Sequence, residues 1–160
     1  MALTTVSTFS DLVTSAPQAH QPRPLMAISA VSWKLDAPED QVMRLLEDGR
    51  LLWAFNISVH GSDGCRLVVR VLTQSVLHFQ IHGQDQDRSW EAVKELIFNR
   101  APATLNTCEM SRILGCSRLH TFNLIHAGLL KVTRPARRGR TGSPAIDKEA
   151  AAAWLKSRRL

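Results

Sequence analysis

The feature that most restricts what this chain can fold into is an internal echo. Laid over itself at an offset of 79 residues without gaps, the sequence matches Leu35 to Leu114, Ala37 to Cys116, Leu45 to Leu124, Leu46 to Ile125, Gly49 to Gly128 and Leu51 to Leu130. Val42 falls on Thr121, the weaker core residue of the two. In each copy the Gly follows the first Leu by 14 positions. Self-similarity on this scale is the mark of a duplicated supersecondary unit. The 160 residues are therefore read as two small units in tandem.

Local signals give each unit the same order of elements. In the first, Ile28, Val31 and Leu35 recur at helical spacing, and Asp36 is placed to cap a second helix with Pro38 in its first turn. Val42, Leu45 and Leu46 form that helix's apolar stripe, and Gly49 suits a left-handed terminator. A strand is expected over Leu51–Ile57, a turn at His60–Gly64 and a second strand near Arg66–Leu72. Ser75–Phe79 reads as a short closing helix or a third strand. Trp33, Trp53 and Phe55 are expected in the core. In the second unit Thr107 is placed to cap a helix over Cys108–Leu114, Gly115 makes the turn, Ser117 caps a second helix to about Ala127, and Gly128 ends it. A strand over Leu129–Thr133, an Arg- and Gly-rich loop over Arg134–Ser143, a returning strand at Ala145–Ile146 and a final helix capped by Asp147 complete the order. Between the units, Ser89 caps a helix to Asn99 whose Val93, Leu96 and Ile97 share a face, offered as a dimer contact.

The resulting expectation is a mainly α chain with small β-hairpin wings, α+β in class. It divides into a flexible arm over 1–25, interrupted by Pro17, Pro22 and Pro24; a first unit over 26–83; a linker and connecting helix over 84–103; and a second unit over 104–160.

Charge separates the two units. Residues 1–83 carry 6 Lys and Arg against 7 Asp and Glu, a net of −1; residues 84–160 carry 14 against 7, a net of +7. Segment 131–160 alone has nine basic residues against Asp147 and Glu149. A basic face of this kind points to a polyanion, and nucleic acid is the usual one.

The run Leu114-Gly115-Cys116-Ser117-Arg118-Leu119-His120-Thr121-Phe122-Asn123-Leu124-Ile125-His126-Ala127-Gly128-Leu129-Leu130 resembles the helix-turn-helix of the excisionase and MerR-like winged-helix families. Those families have a Leu-Gly-Val-Ser turn, a short recognition helix, a Gly, a strand, a basic wing and a closing helix. The likeness covers residues 104–157 well and 26–80 more loosely. Cys116 stands where a β-branched residue is usual, and Phe122 where an aromatic hydroxyl often reaches a phosphate.

The resemblance implies two tandem winged helix-turn-helix units joined by a helix, with a recognition helix in the major groove. Arg118, His120, Phe122 and Asn123 are then the outward residues, with Arg suited to guanine and Asn to adenine. Ser117 at the helix start suits a phosphate. Arg134, Arg137, Arg138 and Arg140 make the wing, whose slender basic tip suits a minor groove. In the first unit Gln41, Arg44, Arg50 and Arg66 would make a weaker contact, because Glu39, Asp40, Glu47 and Asp48 repel phosphate. The implied role is sequence-specific binding of double-stranded DNA by an excisionase-like recombination directionality factor or a transcriptional regulator of a mobile element. A recombinase or the transcription machinery is the implied protein partner, with cooperative or homodimeric assembly on DNA. The rival reading is a protein-interaction module that antagonises a DNA-bound regulator, motivated by the acidic helix at 39–48.

Other chemistry finds little support in the sequence. Cys108, Cys116, His120 and His126 are spaced C-x7-C-x3-H-x5-H, which fits no common zinc module. No phosphate-cradling Gly-rich loop and no nucleophile–base set stands out, so neither an enzyme, a cofactor nor a metal site is expected. Cys65, Cys108 and Cys116 read as reduced thiols, and the absence of a long apolar run sets the expectation of a cytoplasmic, nucleoid-associated chain with no membrane span.

Overall fold

The computed structural model describes residues 23–59, 67–134 and 143–160. Thirteen elements appear among them, and their order repeats. The first set is β1 (Leu25–Ala27), α1 (Ile28–Leu35), α2 (Glu39–Glu47), β2 (Ala54–Asn56), β3 (Val69–Leu72) and α3 (Thr73–His82). Helix α4 (Trp90–Phe98) follows. The second set is β4 (Thr104–Leu105), α5 (Thr107–Ile113), α6 (Arg118–His126), β5 (Val132–Arg134), β6 (Ala145–Asp147) and α7 (Lys148–Lys156). The chain is α+β, with seven helices and two antiparallel three-stranded sheets among the described residues.

The sheets are built alike. Their strand orders are β1-β3-β2 and β4-β6-β5, so in each the last strand lies in the middle. Leu25 pairs with Leu72 and Ala54 with Val71; in the other sheet Thr104 pairs with Asp147 and Val132 with Ile146. The first strand of each sheet is only two or three residues long and was not expected from the sequence. Leu25 is fully buried in β1, and the carbonyls of Arg23 and Pro24 accept bonds from the Thr73 hydroxyl and amide at 2.6 and 2.8 Å. Residues 23–25, within the stretch assigned to the arm, are therefore part of the fold.

The helical pairs α1–α2 and α5–α6 keep the 79-residue offset, with α2 and α6 in step at both ends. Gly49 and Gly128 end them at φ +67° and +72°. Between the helices of each pair sits a left-handed residue, Asp36 at φ 50° and Gly115 at φ +60°. Asp36 thus closes α1 and does not cap α2, whose N-cap is Pro38. Asn106, not Thr107, caps α5: its side chain accepts from the amides of Cys108 and Glu109, while Glu109 accepts from the Asn106 amide at 2.7 Å. Ser89, Ser117 and Asp147 cap α4, α6 and α7 as their positions predict.

The core joins the two sets. One buried cluster lies wholly in the first set: Val31, Val42, Leu45, Leu51, Ala54, Val69, Val71 and Val76. The larger cluster runs from Leu25, Trp53, Phe55, Ile57 and Leu72 through Val93, Ile97 and Phe98 of α4 to Leu105, Met110, Leu114, Leu124, Ile146 and Leu155. Trp53, Phe55 and Trp90 form an aromatic triad with ring centroids 6.3 to 6.5 Å apart. The apolar face of α4 is therefore spent on this core, with Val93 and Ile97 buried and Leu96 turned outward, so it does not offer the dimer contact that its spacing suggested. Trp33 is also displaced from expectation: it stands 87% exposed on α1.

Backbone bonds reinforce the union. The Asn56 amide donates to the Arg158 carbonyl at 2.8 Å and the Leu160 amide to the Ala54 carbonyl at 3.0 Å, so Arg159 forms an isolated antiparallel bridge with Phe55 on the β2 edge. The Arg159 guanidinium lies 3.9 Å from the centroid of the Trp53 ring. Among the described residues no helix is long and apolar enough to cross a membrane.

Candidate nucleic-acid interface

Helix α6 has one inward and one outward face. Thr121 and Leu124 are fully buried, and Ile125 is half-buried. Thr121 is tolerated there because its hydroxyl approaches the Ser117 carbonyl and the Cys116 Sγ, each at 3.4 Å. Arg118, Leu119, Phe122, Asn123 and His126 are exposed. The spacing i, i+1, i+4, i+5, i+8 keeps these five side chains on one stripe. No Asp or Glu occurs in α6, and Arg112 before it in the chain and Lys131 and Arg134 after it are exposed.

The expected site residues fall into three groups. Ser117, Arg118, Phe122, Asn123 and Arg134 are solvent-facing, and the Ser117 Oγ accepts from the His120 amide at 3.1 Å. The Arg118 Nη2 also donates to the Cys108 Sγ at 3.1 Å, which lays the side chain back towards α5. His120 is a correction. Its Nε2 donates to the Ile57 carbonyl at 2.7 Å, and the ring is half-buried against the first set, not outward. Its position four residues before Leu124 places it at the edge of the buried stripe. Arg137, Arg138 and Arg140 lie outside the described residues.

On the first unit, Gln41 and Arg44 are exposed on α2 beside Glu39, Asp40, Glu47 and Asp48. Arg50 is occupied: its Nη2 donates to the Gly83 carbonyl at 3.0 Å and its guanidinium lies 5.2 Å from the Phe79 ring centroid. Arg66 lies outside the described residues. The weaker contact expected there thus retains two free side chains, Gln41 and Arg44, on a helix of opposite charge balance.

Several positions of the candidate site escaped sequence reasoning. Leu119 and His126 share the outward stripe, and helical spacing counted from Thr121 would have found them. Arg70 carried no local signal. Its Nε donates to the carbonyls of Leu114 and Gly115, both at 3.1 Å, and its Nη1 to the Val69 carbonyl at 2.9 Å. It ties β3 to the turn before α6 across 44 residues of sequence. Burial pulls its pKa below the ordinary arginine value. Gly115 completes the seam: a Cβ there would lie 2.5 Å from the Leu25 carbonyl oxygen. The hairpin base also flanks α6, since Val59 lines one open groove with Asn123, His126 and Ala127.

Cys116 sits in the same turn, and burial pushes its thiol above the usual range. Among the described residues no three of His, Cys, Asp and Glu converge to hold a metal ion. Compared with protein-family models, curated proteins and solved structures, the chain matches none of them.

Proposed function

We propose that the chain is a sequence-specific double-stranded-DNA-binding protein made of two tandem winged helix-turn-helix units. The second reads the major groove through α6; strands β5 and β6, with the Arg-rich segment of sequence between them, serve as the basic wing. The observation that carries this reading is the outward stripe of α6. It is free of acidic residues and presents Arg118, Asn123 and His126, on a unit that also exposes Arg112 of α5 and Arg134 of β5. Arg and Asn are the side chains suited to guanine and adenine edges, and the surrounding cations supply phosphate attraction. By its resemblance to excisionase-like proteins, the role is DNA architecture in recombination or regulation of a mobile element. An excision factor should bind adjacent sites cooperatively and curve the duplex; a plain regulator should occupy one operator.

The test is binding of the whole chain to random-sequence and genomic duplexes at two salt concentrations. Selective, salt-sensitive binding is expected. The triple variant Arg137→Ala/Arg138→Ala/Arg140→Ala should lower the slope of log K against log salt by about 0.9 for each phosphate it no longer neutralises. No binding at low salt would overturn the proposal.

A second reading has its own observation. The first unit exposes Trp33 beside a helix whose outer residues are largely acidic, which suits a basic protein partner. Capture of a protein by the whole chain that Trp33→Ala abolishes, with no DNA affinity, would favour it.

A further inference from the structure

Leu119 and Phe122 stand one turn apart on α6, and both face solvent, at 70% and 36% exposure. Single exposed apolar side chains are ordinary, but these two adjoin at i, i+3 in the middle of an otherwise polar stripe. Arg118 and Asn123 flank them, and His126 follows one turn after Phe122. Among the described residues of the second unit the exposed charges are mostly cations, Arg112, Lys131 and Arg134 among them, against the exposed Glu149. That charge favours a polyanion as the occupant over an apolar protein groove. In the major groove of B-DNA the apolar feature on a base edge is the C5-methyl of thymine.

We infer that Leu119 and Phe122 read thymine methyl groups in the major groove, so that the site contains thymine at the positions opposite the first turn and a half of α6. This inference rests on the DNA reading of α6 and adds to it the base that the apolar pair selects. Arg118 and Asn123 supply directional hydrogen bonds on either side; the apolar pair supplies a contact that only a methylated pyrimidine rewards.

The experiment starts by selecting a site for the whole chain from a random duplex pool. The selected site is then resynthesised with deoxyuridine in place of each thymine in turn, a change that removes one methyl and leaves base pairing intact. At one position or more the affinity should fall about fourfold, the value of one buried methyl-sized group. At each such position at least one of Leu119→Ala and Phe122→Ala should bind the thymine and deoxyuridine duplexes equally, while Asn123→Ala should keep the ratio. All three positions are exposed, and circular dichroism checks that the variants fold. Selective binding insensitive to every deoxyuridine, or sensitivity that survives both alanine variants, overturns the inference and leaves the DNA reading standing. Failure to bind any duplex at low salt overturns both.

Discussion

Gly115→Ala perturbs the seam between the two units at a single atom. Two separate costs follow from the structure. The residue sits at φ +60°, where an L side chain costs about 1–2 kcal/mol. The new Cβ would also lie 2.5 Å from the Leu25 backbone oxygen, which no rotamer change can relieve. Shifting a packed backbone to make room costs about 1–3 kcal/mol. Gly128→Ala isolates the first cost, because Gly128 has φ +72° and nothing within 4 Å of its Cβ position. Loss of glycine's extra freedom in the unfolded chain is common to both variants and cancels in the comparison. For a chain of this length each kcal/mol moves the midpoint by about 2–4 °C, so Gly128→Ala should lose about 5 °C and Gly115→Ala about 10 °C. Thermal denaturation followed by circular dichroism gives both values. Equal losses would refute the reasoning, because they would mean that β1 of the first unit does not press on the turn before α6.

Other perturbations test the same architecture. Arg70→Met should cost about 2–3 kcal/mol in urea unfolding, since the Leu114, Gly115 and Val69 carbonyls lose a charged donor; a midpoint shift below a third of that would show the strap to be idle. Truncation after Ser157 removes the two backbone bonds to β2 and the stacking of Arg159 on Trp53, so a fall of about 2–3 kcal/mol is expected by the same assay, with self-association through the bared β2 edge seen by light scattering. Burial raises the Cys116 pKa, so the folded chain holds that proton more tightly than the unfolded one. Its contribution to stability is present below the ordinary thiol range and is lost as pH rises through the raised folded value. Unfolding midpoints should fall on the alkaline side, and Cys116→Ala should flatten that fall.

Much of the local structure was legible because its causes are local. The stop at Gly128, the caps at Ser89, Ser117 and Asp147, and the stripes of α2 and α6 depend on residues within one or two turns of each other. The strands were harder. The expected strand over Leu51–Ile57 shrinks to Ala54–Asn56, and Leu129–Thr133 shifts to Val132–Arg134. Strands β1 and β4 are too short to show any alternation. Ser75–Phe79 proved to be part of a ten-residue helix. Asp36 carries the composition of an N-cap yet adopts the left-handed turn that its counterpart Gly115 also takes.

The sequence by itself determined the duplicated element order, the helical periods and the opposite charge balance of α2 and α6, since spacing and composition act along the chain. Tertiary structure alone decided which side chains remain free to meet a partner. His120 is drawn inward by a carbonyl 63 residues away, Arg50 is held by Gly83, Trp33 is left outside a core already filled by Trp53 and Trp90, and Leu119 emerges on the open stripe. Those outcomes depend on how one unit's sheet packs against the other's helical turn, and packing between distant segments leaves no period in the sequence to read.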